Sequence, residues 1–274
     1  LPRTLLGLSV GVALGAAGAL MQALTRNPLA DPGILGVNAG AAAAVVTAIG
    51  VLHLANPSVY VWFALAGAAV ASVLVYLLGS RGRAAATPVR LALAGAAISA
   101  VLGAFISGLV LLDQTTFNDF QFWSVGAIAG RPLSVLYQTG PFLLAGALIA
   151  LALARPLNAL ALGEDTGRAL GAHPGRTRAF GVLSVTLLCG AATAPAGPIG
   201  FVGLTVPHVA RSITGPDQRW VLPYSMVLAP ILLLSADIVG RVIARPGEIE
   251  AGIVTAFVGA PVFILLARRR MAQL

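Results

Sequence analysis

The chain contains no lysine, one cysteine and only 9% charged residues of both signs together, and these scarcities exclude most of what 274 residues could be. With its one cysteine, Cys189, inside an apolar run, no internal disulfide or Cys-rich metal centre can form. Cys189 reads as a small packing residue. A soluble domain carries about a quarter charged residues. This chain is instead 58% hydrophobic with a mean hydropathy of +0.93, and belongs in a bilayer. Its 17 basic residues are all arginine and are scattered through the connections and span ends instead of gathered on one soluble face, so the net charge of +8 points to membrane orientation and not to nucleic acid. There is no Gly-x-x-x-x-Gly-Lys-Ser/Thr phosphate loop, no catalytic constellation, and no His/Cys/carboxylate cluster to hold a metal.

Apolar stretches of about 17 to 23 residues recur along the length, and about 20 residues at 1.5 Å rise cross a hydrocarbon core of about 30 Å. A membrane barrel would show short segments of alternating polarity, which runs such as Leu143 to Ala154 lack. The fold class is therefore an all-α polytopic membrane protein, one domain over 1–274. Nine spans are expected at 4–23, 33–52, 60–79, 90–112, 133–154, 178–194, 197–213, 222–241 and 251–267. If the first runs inward, only Arg3, Arg131, Arg241 and Arg245 of the arginines lie outside, an asymmetry that makes the C-terminus cytoplasmic. An odd count entered from the outer face implies a preceding helix missing from this sequence.

Small residues allow helices to approach closely. Gly7, Gly11 and Gly15 repeat every four residues on the first span, and Gly95, Ser99, Gly103 and Ser107 on the fourth. These stripes serve helix packing or line a shared path. Asp237 is the one candidate charge inside the hydrocarbon, and Arg241, four residues on, shares its helix face and can pair with it. Without other buried acids or interrupted helices, ion coupling within the chain is disfavoured and energy must come from elsewhere. Phe122 and Trp123 read as anchors at the outer interface.

Three segments are too specified to be generic connections. The first runs Gln22-Ala23-Leu24-Thr25-Arg26-Asn27-Pro28-Leu29-Ala30-Asp31-Pro32-Gly33-Ile34-Leu35-Gly36-Val37-Asn38-Ala39-Gly40-Ala41, where prolines and glycines break the helix and fix a compact return. The second, Leu162-Gly163-Glu164-Asp165-Thr166-Gly167-Arg168-Ala169-Leu170-Gly171-Ala172-His173-Pro174, is polar and holds two short helical pieces. The third is Gly197-Pro198-Ile199-Gly200-Phe201-Val202-Gly203-Leu204-Thr205-Val206-Pro207-His208-Val209-Ala210-Arg211, followed by Ala236-Asp237-Ile238-Val239-Gly240-Arg241 and Gly259-Ala260-Pro261-Val262-Phe263.

In these segments the chain resembles, over essentially its whole length, the permease family serving ATP-driven importers of iron-siderophores, haem and cobalamin. Leu-Pro-Arg-Thr-Leu at the start, Leu-Thr-Arg-Asn-Pro-Leu-Ala-Asp-Pro-Gly and Leu-Gly-Val-Asn-Ala-Gly-Ala resemble its ferric-enterobactin type. The resemblance implies a ten-helix type II importer bundle, again with one N-terminal helix absent, in the bacterial inner membrane. It implies two permeases, here a related pair, on two ATPases that hold ATP and Mg, with a substrate-binding protein docking outside and no cofactor in this chain. The substrate it implies is a ferric siderophore, with cobalamin or haem as alternatives. A stand-alone channel or secondary transporter is the reading from another class.

The resemblance also assigns residues. Leu162, Gly163, Glu164, Asp165, Thr166, Gly167, Arg168, Ala169, Leu170 and Gly171, within a cytoplasmic segment 160–177, fall on coupling helices that seat in the ATPase. Asn27 and Leu29 fall on one cytoplasmic gate. Thr87, Pro88 and Val89 fall on the other, where the family's Ser and Thr are replaced in part. Arg3 and Arg241 match outward arginines that pair with the binding protein's glutamates. Plainer roles stand beside these: Asn27 satisfying a helix end, Arg241 serving Asp237 alone, and His208 hydrogen-bonded as structure.

Overall fold

The computed structural model describes residues 1–54, 56–80 and 88–271, with backbone alone at 88 and 265–271. All regular structure among them is helical: α1 (Pro2–Thr25), a 3-10 turn (Pro32–Leu35), α2 (Val37–Gly50), α3 (Pro57–Ser80), α4 (Pro88–Leu112), α5 (Gln114–Ser124), α6 (Leu133–Ala152), α7 (Ala154–Ala161), α8 (Glu164–Ala169), α9 (Pro174–Ala196), α10 (Val202–Thr214), α11 (Gln218–Ile243) and α12 (Ala251–Met271). Six of these, α1, α3, α4, α6, α9 and α11, are long and apolar enough to cross a membrane.

The glycine stripe of α1 explains why that helix sits at the centre. A Cβ at Gly11 would lie 2.5 Å from Pro230 Cα of α11, one at Gly15 2.2 Å from the Ser225 carbonyl oxygen, and one at Gly18 1.9 Å from that of Gly203 in α10. Only bare backbone permits such approaches, and dispersion attraction between the closely apposed surfaces holds the helices together in lipid. The apolar window of α1 is accordingly 72% buried, against 6% for α4. A second close crossing, not evident in the sequence, joins α2 to α3 where Gly40 and Gly67 face each other's carbonyl oxygens. The second stripe divides. Gly95 packs against the Ile34 carbonyl and Ser99 is half-buried, whereas Gly103 meets nothing and Ser107 is exposed.

Two expected spans are corrected in length. The span at 33–52 is the 3-10 turn followed by α2 of 14 residues, and that at 197–213 is a non-helical stretch, 197–201, leading to α10 of 13 residues. Gly18, against which α10 begins, lies ~24 Å along α1 at 1.5 Å per residue, so the non-helical stretch reaches deep into the bundle. Interrupted helices are thus present, and their expected absence fails at these places. Proline and glycine explain it. Pro198 and Pro32 cannot donate to a helical ladder, and Gly197 and Gly36 take positive φ values of 72° and 70°.

Trp123 corrects another expectation. It is 1% exposed, and its indole Nε1 donates to the Ala194 carbonyl at 3.1 Å. The last carbonyls of α9 have no intrahelical donor, and α5, a helix the sequence did not announce, and the connection after it supply them: Trp123 of α5 reaches Ala194, and the Ala127 N–H beyond it reaches Ala196 at 2.7 Å. Phe122, its neighbour, is exposed.

Candidate functional site

The polar chemistry gathers at the two ends of the bundle. At the end where α1 begins, Asp237 of α11 is 3% exposed and accepts from Arg3 Nε at 3.0 Å and Arg3 Nη2 at 2.6 Å. Arg241 Nε stands 3.4 Å from the other carboxylate oxygen, so the i,i+4 pair read from sequence exists but is the looser of the two. A carboxylate this buried requires a bound cation, and Arg3 supplies it from α1. Arg3 Nη1 in turn donates to Glu248 at 2.7 Å. Near them Arg131 Nη1 donates to the Tyr60 hydroxyl at 2.6 Å, tying the starts of α6 and α3. Glu250, just before α12, is held above the usual carboxylate range by burial first and by Glu248 second.

At the opposite end, α7 and α8 are fastened to three membrane helices. Arg26, with a left-handed backbone at φ 50° closing α1, donates to the Leu160 carbonyl of α7. Glu164 of α8 pairs with Arg178 of α9, whose guanidinium hydrogen bond holds the Glu164 carboxyl below its ordinary range. Asn158 of α7 donates to Asp217 Oδ1 at 2.5 Å and accepts from the Gln218 N–H at 2.9 Å, gripping the first turn of α11. Asp217, capping that helix, is lowered well beyond the usual range, chiefly by Arg219. Gly167 explains how closely α8 lies on α7, since a Cβ there would stand 3.1 Å from the Ala159 carbonyl oxygen. Leu162 and Leu170 flank α8 with side chains 65% and 63% exposed.

The connection between α1 and α2 lies at the same end. Asn27 accepts from the Leu29 N–H at 3.0 Å, a bond within the turn that follows α1, and Leu29 is exposed. His208 Nε2 sits 2.9 Å from the Pro28 carbonyl oxygen, a structural hydrogen bond as expected. Pro207 cannot donate to the Gly203 carbonyl one turn earlier, and the Nε2 of buried Gln22 reaches that oxygen at 3.5 Å and Leu204 O at 3.0 Å, while its Oε1 accepts from Arg211 at 2.6 Å. Val89 is exposed at the start of α4, Pro88 opens that helix, and Thr87 lies outside the described residues. Among the described residues no three of His, Cys, Asp and Glu converge as for a metal ion.

The sequence reading thus named Arg3, Arg241 and the Glu164 segment, and the structure brings Arg3 and Arg241 onto one carboxylate. Of the two helical pieces expected within 162–174, one is α8, and the other is α7, which ends before that segment. Asn158, Gln22 and Glu248 were not singled out. Asn158 and Gln22 carried a signal of sorts, as lone amides beside or within apolar runs.

The model of the FecCD transport family matches residues 1–269. The ferric enterobactin transport system permease protein FepD of Escherichia coli (strain K12) is 51% identical over 271 residues, covering 98% of this chain and 80% of that relative. The probable siderophore transport system permease protein YfiZ of Bacillus subtilis (strain 168) is 45% identical over 269 residues, covering 98% and 81%. The hemin transport system permease protein HmuU of Yersinia pestis is 36% identical over 278 residues, covering 100% and 83%. Among solved structures, one described as an inward-facing ABC transporter of metal-chelate type matches with a TM-score of 0.89 at 29% identity, over 98% of this chain and 85% of that one.

Proposed function

The chain belongs to the FecCD transport family, as a multi-pass membrane permease of an ABC importer for iron-siderophore or haem uptake, and from that premise we propose that its substrate is a catecholate ferric siderophore of the enterobactin kind. The observation that carries this reading is the 51% identity to the ferric enterobactin permease, sustained over 98% of the chain. Hemin is the substrate named for a relative at 36%, and makes haem the second reading.

In this reading the end bearing Arg3 faces outward and the α7–α8 end faces the cytoplasm, which agrees with the arginine asymmetry of the connections and makes the C-terminus cytoplasmic. Two separate ATPases hold ATP and Mg, and this chain, with no cofactor of its own, is a non-catalytic subunit beside a related permease in the inner membrane. The segment 160–177 seats in the ATPase. The exposed Leu162 and Leu170 support this by offering apolar contacts on either side of α8. A push on α8 then reaches α9 through Glu164–Arg178, α11 through Asn158–Asp217 and α1 through Arg26. Those helices flank the Asn27–Leu29 connection, proposed with Thr87, Pro88 and Val89 as the cytoplasmic gate. The open face of α4, with Gly103 and Ser107 upon it, suits a path shared with the second permease. Arg3 and Arg241 receive carboxylates of the substrate-binding protein.

The test is uptake into proteoliposomes holding both permeases and the ATPases, with ferric enterobactin, a ferric hydroxamate, haem and cobalamin compared side by side. ATP-dependent accumulation led by ferric enterobactin supports the reading, and preference for haem or cobalamin replaces it. Flux through this chain without any ATPase would remove the importer mechanism altogether.

A further inference from the structure

The geometry around Arg3 points to an internal competitor for the docking partner: we infer that Glu248 occupies the place on Arg3 that a carboxylate of the incoming binding protein takes. This rests on the docking reading given above.

A guanidinium has two edges that accept a carboxylate in its plane. The Nε and Nη2 edge of Arg3 is committed to Asp237, whose side chain is 3% exposed and out of reach of any other protein. What remains toward solvent is Nη1, and Glu248 Oε2 lies on it at 2.7 Å. Glu248 is 36% exposed and Arg3 26%, so this bond sits at the surface while its neighbour is sealed beneath. Asp237 therefore fixes the arginine, and Glu248 covers the face by which it would be recognised.

Glu248 belongs to the connection between α11 and α12, and the backbone beside it is pinned: the Ile249 N–H donates to the Gly240 carbonyl at 3.2 Å, and a Cβ at Gly240 would lie 2.2 Å from the Ile249 carbonyl oxygen. Vacating Arg3 thus requires only that the Glu248 side chain rotate into water. One carboxylate replaces another, so the exchange leaves the number of charge pairs unchanged. Its net gain is small, which suits a partner that must dock, deliver and leave. Glu248 also lowers the positive potential that would steer an acidic surface toward this end.

The experiment uses the complete transporter in lipid nanodiscs and a soluble ferric-enterobactin-binding protein, with association followed at low and moderate salt. Glu248→Gln is expected to tighten association about threefold, the scale of an exposed ion pair, mainly through a faster on-rate that salt suppresses. Glu250→Gln, which removes a nearby acid not bonded to Arg3, should change it less. In an Arg3→Gln, Asp237→Asn background, where the buried carboxylate is neutralised with its partner so that the fold persists, Glu248→Gln should change association no more than Glu250→Gln does, since only the long-range steering remains. Unchanged or weaker association for Glu248→Gln, alongside weaker association for the double variant, overturns the inference and leaves the docking reading standing. Association indifferent to the double variant removes the docking reading, and the inference with it.

Discussion

Asn158 of α7 holds Asp217 and the Gln218 N–H at the first turn of α11 with the two ends of one amide, at 2.5 and 2.9 Å, so a residue just before the proposed coupling segment fastens it to a membrane helix 59 positions further on. Asn158→Ala is expected to cost about 1 to 2 kcal/mol, since a helix cap loses a donor and a buried-side amide loses its acceptor. More telling is the function expected of it. ATP hydrolysis in reconstituted transporter should continue while substrate accumulated per ATP falls severalfold, and an unaltered ratio would show that α11 receives its motion by another route.

The two small-residue stripes make a paired test. Gly11→Leu, driven into Pro230, is expected to destabilise the protein by about 3 kcal/mol or more, as overpacking without room to relax does. Gly103→Ala, with nothing near it, should fall within about 0.5 kcal/mol or stabilise its helix slightly. Thermal unfolding in detergent separates them.

Arg3 and Arg241 share Asp237 unequally. Arg3→Gln leaves a carboxylate that is 3% exposed with only a distant partner, and should cost about 2 kcal/mol or more. Arg241→Gln removes a pair at 3.4 Å from a side chain 48% exposed, worth about 0 to 1 kcal/mol. Adding Asp237→Asn to Arg3→Gln should recover much of the loss. Equal effects of the two arginines, read as midpoint temperatures, would contradict the burial argument.

Glu250 gives a pH signature. Burial and Glu248 raise its folded pKa, so the folded state favours the neutral acid. The site therefore contributes most below the unfolded value, about 4.3, and that contribution is lost as pH rises through the folded value. Glu250→Gln should accordingly melt above the parent at pH 7, with the gap closing near pH 4. A gap constant from pH 4 to 8 would show that the gain has another cause.

Hydropathy and the arginine pattern were sufficient for the membrane class and for where most helices run, because burying a backbone in lipid demands long apolar helices whatever the tertiary arrangement. The motifs of the Asn27, Glu164 and Gly197 segments carried the family. Glycine spacing, however, says only that a close approach is possible. It did not separate Gly11, pressed on Pro230, from Gly103, which faces open space. Apolar runs likewise concealed the shortness of α2 and α10, since hydropathy registers the non-helical residues 197–201 much as it does helix.

The sequence by itself determined an all-helical membrane permease of this family and placed Asp237, Arg241 and Arg3 near helix ends. The tertiary structure alone decided that Arg3, 234 positions away, is the tighter partner of Asp237, that Trp123 is buried to serve the end of α9, and that Asn158 reaches α11. The reason is physical: a desolvated carboxylate, an orphan carbonyl or an indole N–H must be satisfied by whatever the packing brings within 3 Å, and packing joins residues without regard to their separation along the chain.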